Sequence, residues 1–152
     1  MFSKRNKQKP SVAQGGGFFS MKKKIKEEIR KLGVSIIYIF GSRAVGRGSA
    51  LSDIDIGVVL KNHSVAEETR ALYNKLYGLL SDQYPESKLD LVFLQTAPLA
   101  LQFFAVRDGK VLFEEDPRYT ADYEKCVIQQ YLDFRPVLDL FDGVTAERYA
   151  KA

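Results

Sequence analysis

Two short runs rich in β-branched and aromatic residues, Val34–Phe40 and Asp53–Leu60, bracket a glycine-bearing loop. No other feature constrains the fold as much. Each run is too short and too β-branched for a stable helix, so each reads as a strand. The loop opens on Gly41-Ser42, and ten residues separate Ser42 from Asp53. That is enough chain to turn back and lay the second strand beside the first.

Helical patterns surround this pair. From Met21 to Leu32, Ile25, Ile29 and Leu32 recur at helical spacing, and Gly33 fits the stop. Ser64 with Glu67 makes a capping-box pattern for a helix running to about Ser81. Lys88–Leu94 is a third strand, and Thr96-Ala97-Pro98 opens a helix to about Val106. Asp108-Gly109 marks a turn before a fourth, edge strand at Lys110–Glu114. Asp116-Pro117 pairs an N-cap with proline at the first helical position. The helix it starts should carry Tyr123, Val127, Tyr131 and Phe134 on one side, with an interruption at Arg135-Pro136. This order predicts an α/β (α+β) fold: a mixed β-sheet of about four strands with helices packed on it.

A chain of 152 residues fits one domain with a sizeable core. The expected division is a flexible basic leader over 1–20, with Pro10 and Gly15-Gly16-Gly17, and a single domain over 21–152. No apolar run approaches the roughly 20 residues of a membrane span. The lone Cys126 excludes an internal disulfide framework, so a cytoplasmic location is the default expectation. The net charge of +4 hides an asymmetry. Residues 1–31 carry ten Lys and Arg against Glu27 and Glu28, while the remainder is mildly acidic. A basic arm can attract nucleic acid, but without aromatic interleaving it reads as a solvated tail, and a nucleic-acid partner is not expected.

The candidate chemistry begins with Asp53 and Asp55. Strand side chains alternate, so the two project to one face, roughly 6.6–7 Å apart, while Ile54 and Ile56 point into a core. Like charges this close repel unless a cation lies between them, and hard oxygen ligands suit Mg²⁺. Alone, the pair reads better as the polar side of a half-exposed strand. The preceding turn adds weight. Gly41 lets backbone N–H groups approach an oxyanion, the Ser42 hydroxyl adds a donor, and Arg43 supplies charge for phosphates. The loop lacks the Gly-Lys-Ser/Thr ending of a Walker-type loop. Asp90, in Leu89-Asp90-Leu91-Val92-Phe93, is a carboxylate in an apolar strand, costly there unless paired or metal-bound. If its strand lies beside Asp53–Leu60, Asp90 completes a three-carboxylate cluster.

Gly-Ser-Arg-Ala-x-Gly from Gly41, then Ser52-Asp53-Ile54-Asp55, resembles the signature of the minimal nucleotidyltransferases (MNT) of the DNA polymerase β-type superfamily. Val45 stands where such proteins often carry Arg, which implies one fewer phosphate or acceptor contact. The resemblance runs from about Val34 through Asp90. It implies the polymerase β-like nucleotidyltransferase fold and a two-metal mechanism. Asp53 and Asp55 would bridge two Mg²⁺ ions, Asp90 would hold one of them and help deprotonate an acceptor hydroxyl, and Gly41, Ser42, Arg43 and Ser52 would bind the nucleotide, ATP.

Larger members add a domain for the acceptor; after Asp90 this chain has only about sixty residues. The acceptor site is therefore expected at an interface with another chain, in a homo- or hetero-oligomer. Stand-alone proteins of this size resemble the antitoxins of two-gene systems whose helical toxins belong to the HEPN family. Tyr131-Leu132-Asp133-Phe134-Arg135-Pro136 also looks like the C-terminal segment of that subgroup. The implied reaction is transfer of AMP to a tyrosine hydroxyl of the toxin. A small-molecule nucleotidyltransferase of the aminoglycoside-modifying kind and a non-catalytic antitoxin acting sterically are the alternatives. His63 is expected on the surface, Cys126 as a small buried hydrophobe, and Arg47 either at the acceptor or in solvent.

Overall fold

The structure, a computed structural model, describes residues 19–41, 44, 53–61, 66–85 and 87–150, the side chains of 66–68 and 145–150 excepted. In chain order the elements are α1 (Lys23–Lys31), β1 (Val34–Phe40), β2 (Ile54–Leu60), α2 (Ala66–Gln83), β3 (Leu89–Phe93), α3 (Leu99–Asp108), β4 (Lys110–Glu114) and α4 (Pro117–Ala150). The four strands form one sheet in the order β3-β2-β1-β4. β1 is antiparallel to β2 and β4, and β2 is parallel to β3. This is the mixed sheet with packed helices that the sequence implied, with β4 at one edge.

Alternation along the strands divides the core in two. Ile37 and Ile39 of β1, Ile54 and Ile56 of β2, and Leu89 and Leu91 of β3 face one way, against Ile25 and Ile29 of α1 and Leu76 and Leu80 of α2. Ile36, Tyr38, Phe40 and Val59 face the other way, with Phe103 and Val106 of α3 and Val127 of α4. Ile54 and Ile56 are fully buried. Each such side chain contributes about 1.5–3 kcal/mol relative to exposure.

Local chemistry sets the ends of the elements. Gly33 closes α1 at φ +78°, a left-handed conformation that costs a residue with a Cβ. The Asp116 carboxylate accepts from the Arg118 N–H at 2.9 Å, so the N-cap read from Asp116-Pro117 is formed. Gln95 substitutes for a strand neighbour at the end of β2: its Oε1 accepts from the Leu60 N–H at 2.9 Å, and its Nε2 donates to the Leu60 carbonyl.

Four expectations need correction. The segment after β3 is not one helix from Thr96: Leu94–Thr96 forms a 3₁₀ turn and α3 begins at Leu99, after Pro98. Proline is tolerated there because it need not donate at a helix start. α4 is not broken at Arg135-Pro136; it continues through Pro136. The carbonyl of Leu132 that loses its donor lies on an exposed stretch where water can take its place. Finally, Cys126 is exposed rather than buried. It sits one residue, or about 100°, round the helix from the buried Val127. Phe134, expected on the buried side with Tyr131, is 52% exposed, because α4 has by then run beyond the sheet.

The capping residues Ser64 and Glu67, His63 and the leader up to residue 18 lie outside the described residues or side chains.

Candidate active site

The site is assembled where β1 ends and β2 and β3 begin. β1 and β2 pair so that Phe40 sits opposite Asp55. β2 and β3 pair so that Asp55 sits beside Asp90, with Ile54 beside Leu89 and Ile56 beside Leu91. The Ile54 N–H donates to the Lys88 carbonyl at 2.9 Å, which fixes this parallel register at its first rung. Neighbours in register share a face. Asp55 and Asp90 therefore project together, away from the face sealed by α1 and α2. Asp53 immediately precedes β2 and is exposed, as is Asp90; Asp55 is half-buried.

Gly41 is the second component. Its φ is +76°, and a Cβ built there would come within 2.0 Å of Asp55 Oδ2. No other residue lets the chain leave β1 this close to the carboxylate. The turn is immediate: the Ala44 N–H donates to the Gly41 carbonyl at 3.2 Å, and the Ala44 side chain is buried. Ser42, Arg43 and Ser52, named from the sequence as nucleotide contacts, lie outside the described residues, as do Val45 and Arg47.

The electrostatics of Asp55 agree with its placement. Burial raises the Asp55 carboxyl above the ordinary carboxylate range, and the charges of Asp90 and then Asp53 raise it further. Among the described residues, the charges that act on Asp55 are carboxylates, which disfavour its ionised form. Among the described residues, no three His, Cys, Asp or Glu side chains close on a common point as a metal cage would require. An open, all-oxygen, edge-of-sheet set instead fits Mg²⁺, which commonly takes one or two protein carboxylates and completes its shell with phosphate and water.

One contact on the same face was not evident from sequence. The Tyr38 hydroxyl donates to Glu124 Oε1 at 2.9 Å, joining β1 to α4. Burial and the charge of Glu124 push the Tyr38 phenol far above its usual range, so it remains a donor. This bond anchors α4 over the sheet, two residues along β1 from the Phe40–Asp55 pair. The signal was a lone Glu on an otherwise aromatic helix side, which has meaning only once Tyr38 is known to face it. Alongside, the Tyr131 and Phe103 rings stack at 3.9 Å between centroids.

Asp55 and Asp90 thus lie side by side on parallel-paired strands, with Asp53 just before β2 and the Gly41 turn against Asp55; residues 23–118 match the family described as polymerase beta, nucleotidyltransferase. The chain belongs to that family. Among solved structures, it is similar to a toxin–antitoxin crystal structure with AMP-PNP, at 27% identity and a TM-score of 0.59 over 79% of this chain and 98% of that one. It is also similar to the structure of a tri-AMPylated Shewanella oneidensis HEPN toxin in complex with MNT antitoxin, at 25% identity and a TM-score of 0.55 over 82% and 99%. No curated protein matches the chain. No helix among the described residues is long and apolar enough to cross a membrane.

Proposed function

We propose that this protein transfers AMP from ATP to a tyrosine hydroxyl of a cognate HEPN-family toxin, silencing it as a cytosolic antitoxin. One observation carries the reading: the register that sets Asp55 beside Asp90, with the bare Cα of Gly41 against Asp55. The similarity to toxin–antitoxin complexes, one with AMP-PNP and one holding an AMPylated HEPN toxin, supports both nucleotide and acceptor.

In this reading Asp53, Asp55 and Asp90 are the catalytic set and would hold two Mg²⁺ ions. When bound, the ions would neutralise charge on the attacking and leaving oxygens. Gly41, Ser42 and Arg43 hold the β- and γ-phosphates, through backbone N–H groups, a hydroxyl and a guanidinium, and Ser52 completes the nucleotide contacts. The acceptor oxygen attacks the α-phosphorus and gives its proton to Asp90. The bond to the bridging oxygen breaks, and pyrophosphate leaves. The leader is taken to end before Phe19, which packs against the core, and Ser20, whose carbonyl accepts from Gln83 Nε2 at 2.8 Å; the acceptor site lies between chains.

The test is a transfer assay with Mg²⁺, α-labelled ATP and the neighbour-encoded helical protein, beside an Asp53→Ala/Asp55→Ala control. Label on the partner that vanishes in the control is the expected result. A partner bound and silenced without label would instead make inhibition steric. Neither label nor binding would move the acceptor to small molecules.

A further inference from the structure

α4 has two parts with different surroundings. It is 34 residues long, about 51 Å at 1.5 Å per residue. Up to Tyr131 it is held by the sheet and α3, through Val127, the Tyr38–Glu124 bond and the Tyr131–Phe103 stack. Beyond that point its residues are exposed as far as Val144, except the half-buried Leu138. A projecting helix with this much apolar surface gains little from propensity alone, and helical stability in proteins comes chiefly from packing.

The exposed apolar residues of α4 are not scattered. Ile128, Leu132, Pro136, Leu140 and Val144 follow one another at intervals of four and form a single ridge along the helix. All five are exposed, Leu140 at 68%. Val137 and Phe141 run alongside in a second row, and Phe141 is 65% exposed. The body end of the ridge borders a shallow, open depression on α4 itself, lined by residues that include Glu124, Lys125, Ile128, Leu132 and Asp133. Glu124 in this depression is the residue bonded to Tyr38 on the aspartate face of the sheet. The body end of the ridge is therefore tied to β1, the strand that ends at the Gly41 turn.

Resting on the function proposed above, we propose that this ridge is the docking surface for the acceptor protein, and that its occupant is a helix with a basic margin. A row at i, i+4 fits between the rows of a second helix, the commonest form of helix packing. Charge decides between a different protein and a second copy. From Tyr119 to Val144 the helix carries Asp122, Glu124, Asp133, Asp139 and Asp142 against Lys125 and Arg135. Arg135 and Asp139 lie 4.0 Å apart and offset each other, and Glu124 is bonded to Tyr38, which leaves Asp122, Asp133 and Asp142 against Lys125. Two copies packed through this face would oppose acidic margins, whereas a basic helix complements them. A helix seated here leads toward the depression at Glu124, on the face where Asp55 and Asp90 project.

The experiment measures binding of the neighbour-encoded HEPN-family protein by calorimetry. The bait is the Asp53→Asn/Asp55→Asn protein, so that modification cannot release the partner. Leu140→Glu and Phe141→Glu change residues outside the core and should leave the thermal transition in place. Each is expected to weaken binding by about 30-fold or more, whereas Tyr119→Ser, exposed but off the ridge, is not. In the otherwise unmodified protein, Leu140→Glu should raise KM for the protein acceptor and leave KM for ATP unchanged. Binding unaltered in both ridge variants overturns the proposal, as does a bait that binds no partner at all. A homodimer in sedimentation that Leu140→Glu converts to monomer also overturns it, in favour of a second copy. A bait that binds through the ridge, while unmodified protein transfers no label, leaves the surface standing and removes the proposed reaction.

Discussion

β2 presents two different surfaces to its surroundings. Ile54 and Ile56 face α1 and α2 and are completely buried. Asp55, between them, faces the other way beside Asp90, with Asp53 exposed just before the strand. The isoleucines lose solvent and gain packing. The aspartates are held near one another although their charges repel, and Asp55 carries the cost as a raised carboxyl pKa. One three-residue alternation thus separates stability from chemistry, because the two sets of side chains never share a face.

This separation can be broken from either side. Asp53→Ala/Asp55→Ala should lower transfer by about 10³-fold or more, equivalent to about 4 kcal/mol of transition-state stabilisation, while the thermal transition holds or rises. A double variant that unfolds would show that the aspartates are structural. Ile56→Ala should do the opposite. It costs about 2–5 kcal/mol of stability, as core truncations do, but leaves transfer per folded molecule near the starting value below the transition. Chemical denaturation combined with single-turnover rates checks both halves.

Gly41→Ala acts on both sides at once. The added methyl meets Asp55 Oδ2 and must hold φ +76°. A loss of about 1–3 kcal/mol is expected from the strained backbone, together with reduced transfer, because relief requires moving either the turn or the carboxylate. Unchanged activity would mean that Asp55 has room the structure does not show.

Acid sharpens the comparison further. With its pKa raised on folding, Asp55 binds its proton more tightly in the folded chain than in the unfolded one. Its favourable contribution is therefore complete below the unfolded carboxylate value and is lost as pH rises through the folded pKa. In metal-free protein, the Tm of Asp55→Asn should match that of the unmodified chain in acid and exceed it at neutral pH. A gap independent of pH would remove the repulsion argument. The smallest expected effect is at Cys126, whose exposure limits Cys126→Ser to within about 0.5 kcal/mol.

Legibility from sequence followed the range of the interactions involved. β1 and β4 have the bounds read from their residues, and the Asp116 cap is formed, because β-branched runs and capping side chains act within a few residues. Cys126 and Phe134 were misplaced because helical spacing shows which residues share a side but not where the neighbouring layer ends. The continuity of α4 through Pro136 had the same origin: proline's local cost is general, but its exposed setting is particular to this chain.

For the site, the sequence by itself determined the residue types: a glycine able to pass a carboxylate, and three aspartates in strand-like runs. That the aspartates lie together was settled only by the tertiary structure. The parallel pairing of β2 with β3 brings Asp90, 35 positions beyond Asp55 in the chain, into register with it. The pairing depends on α2 crossing the sheet and burying the isoleucine face. Strand propensity is local, but register is fixed by which face the core claims, and a slip of one residue would have turned every aspartate into the core.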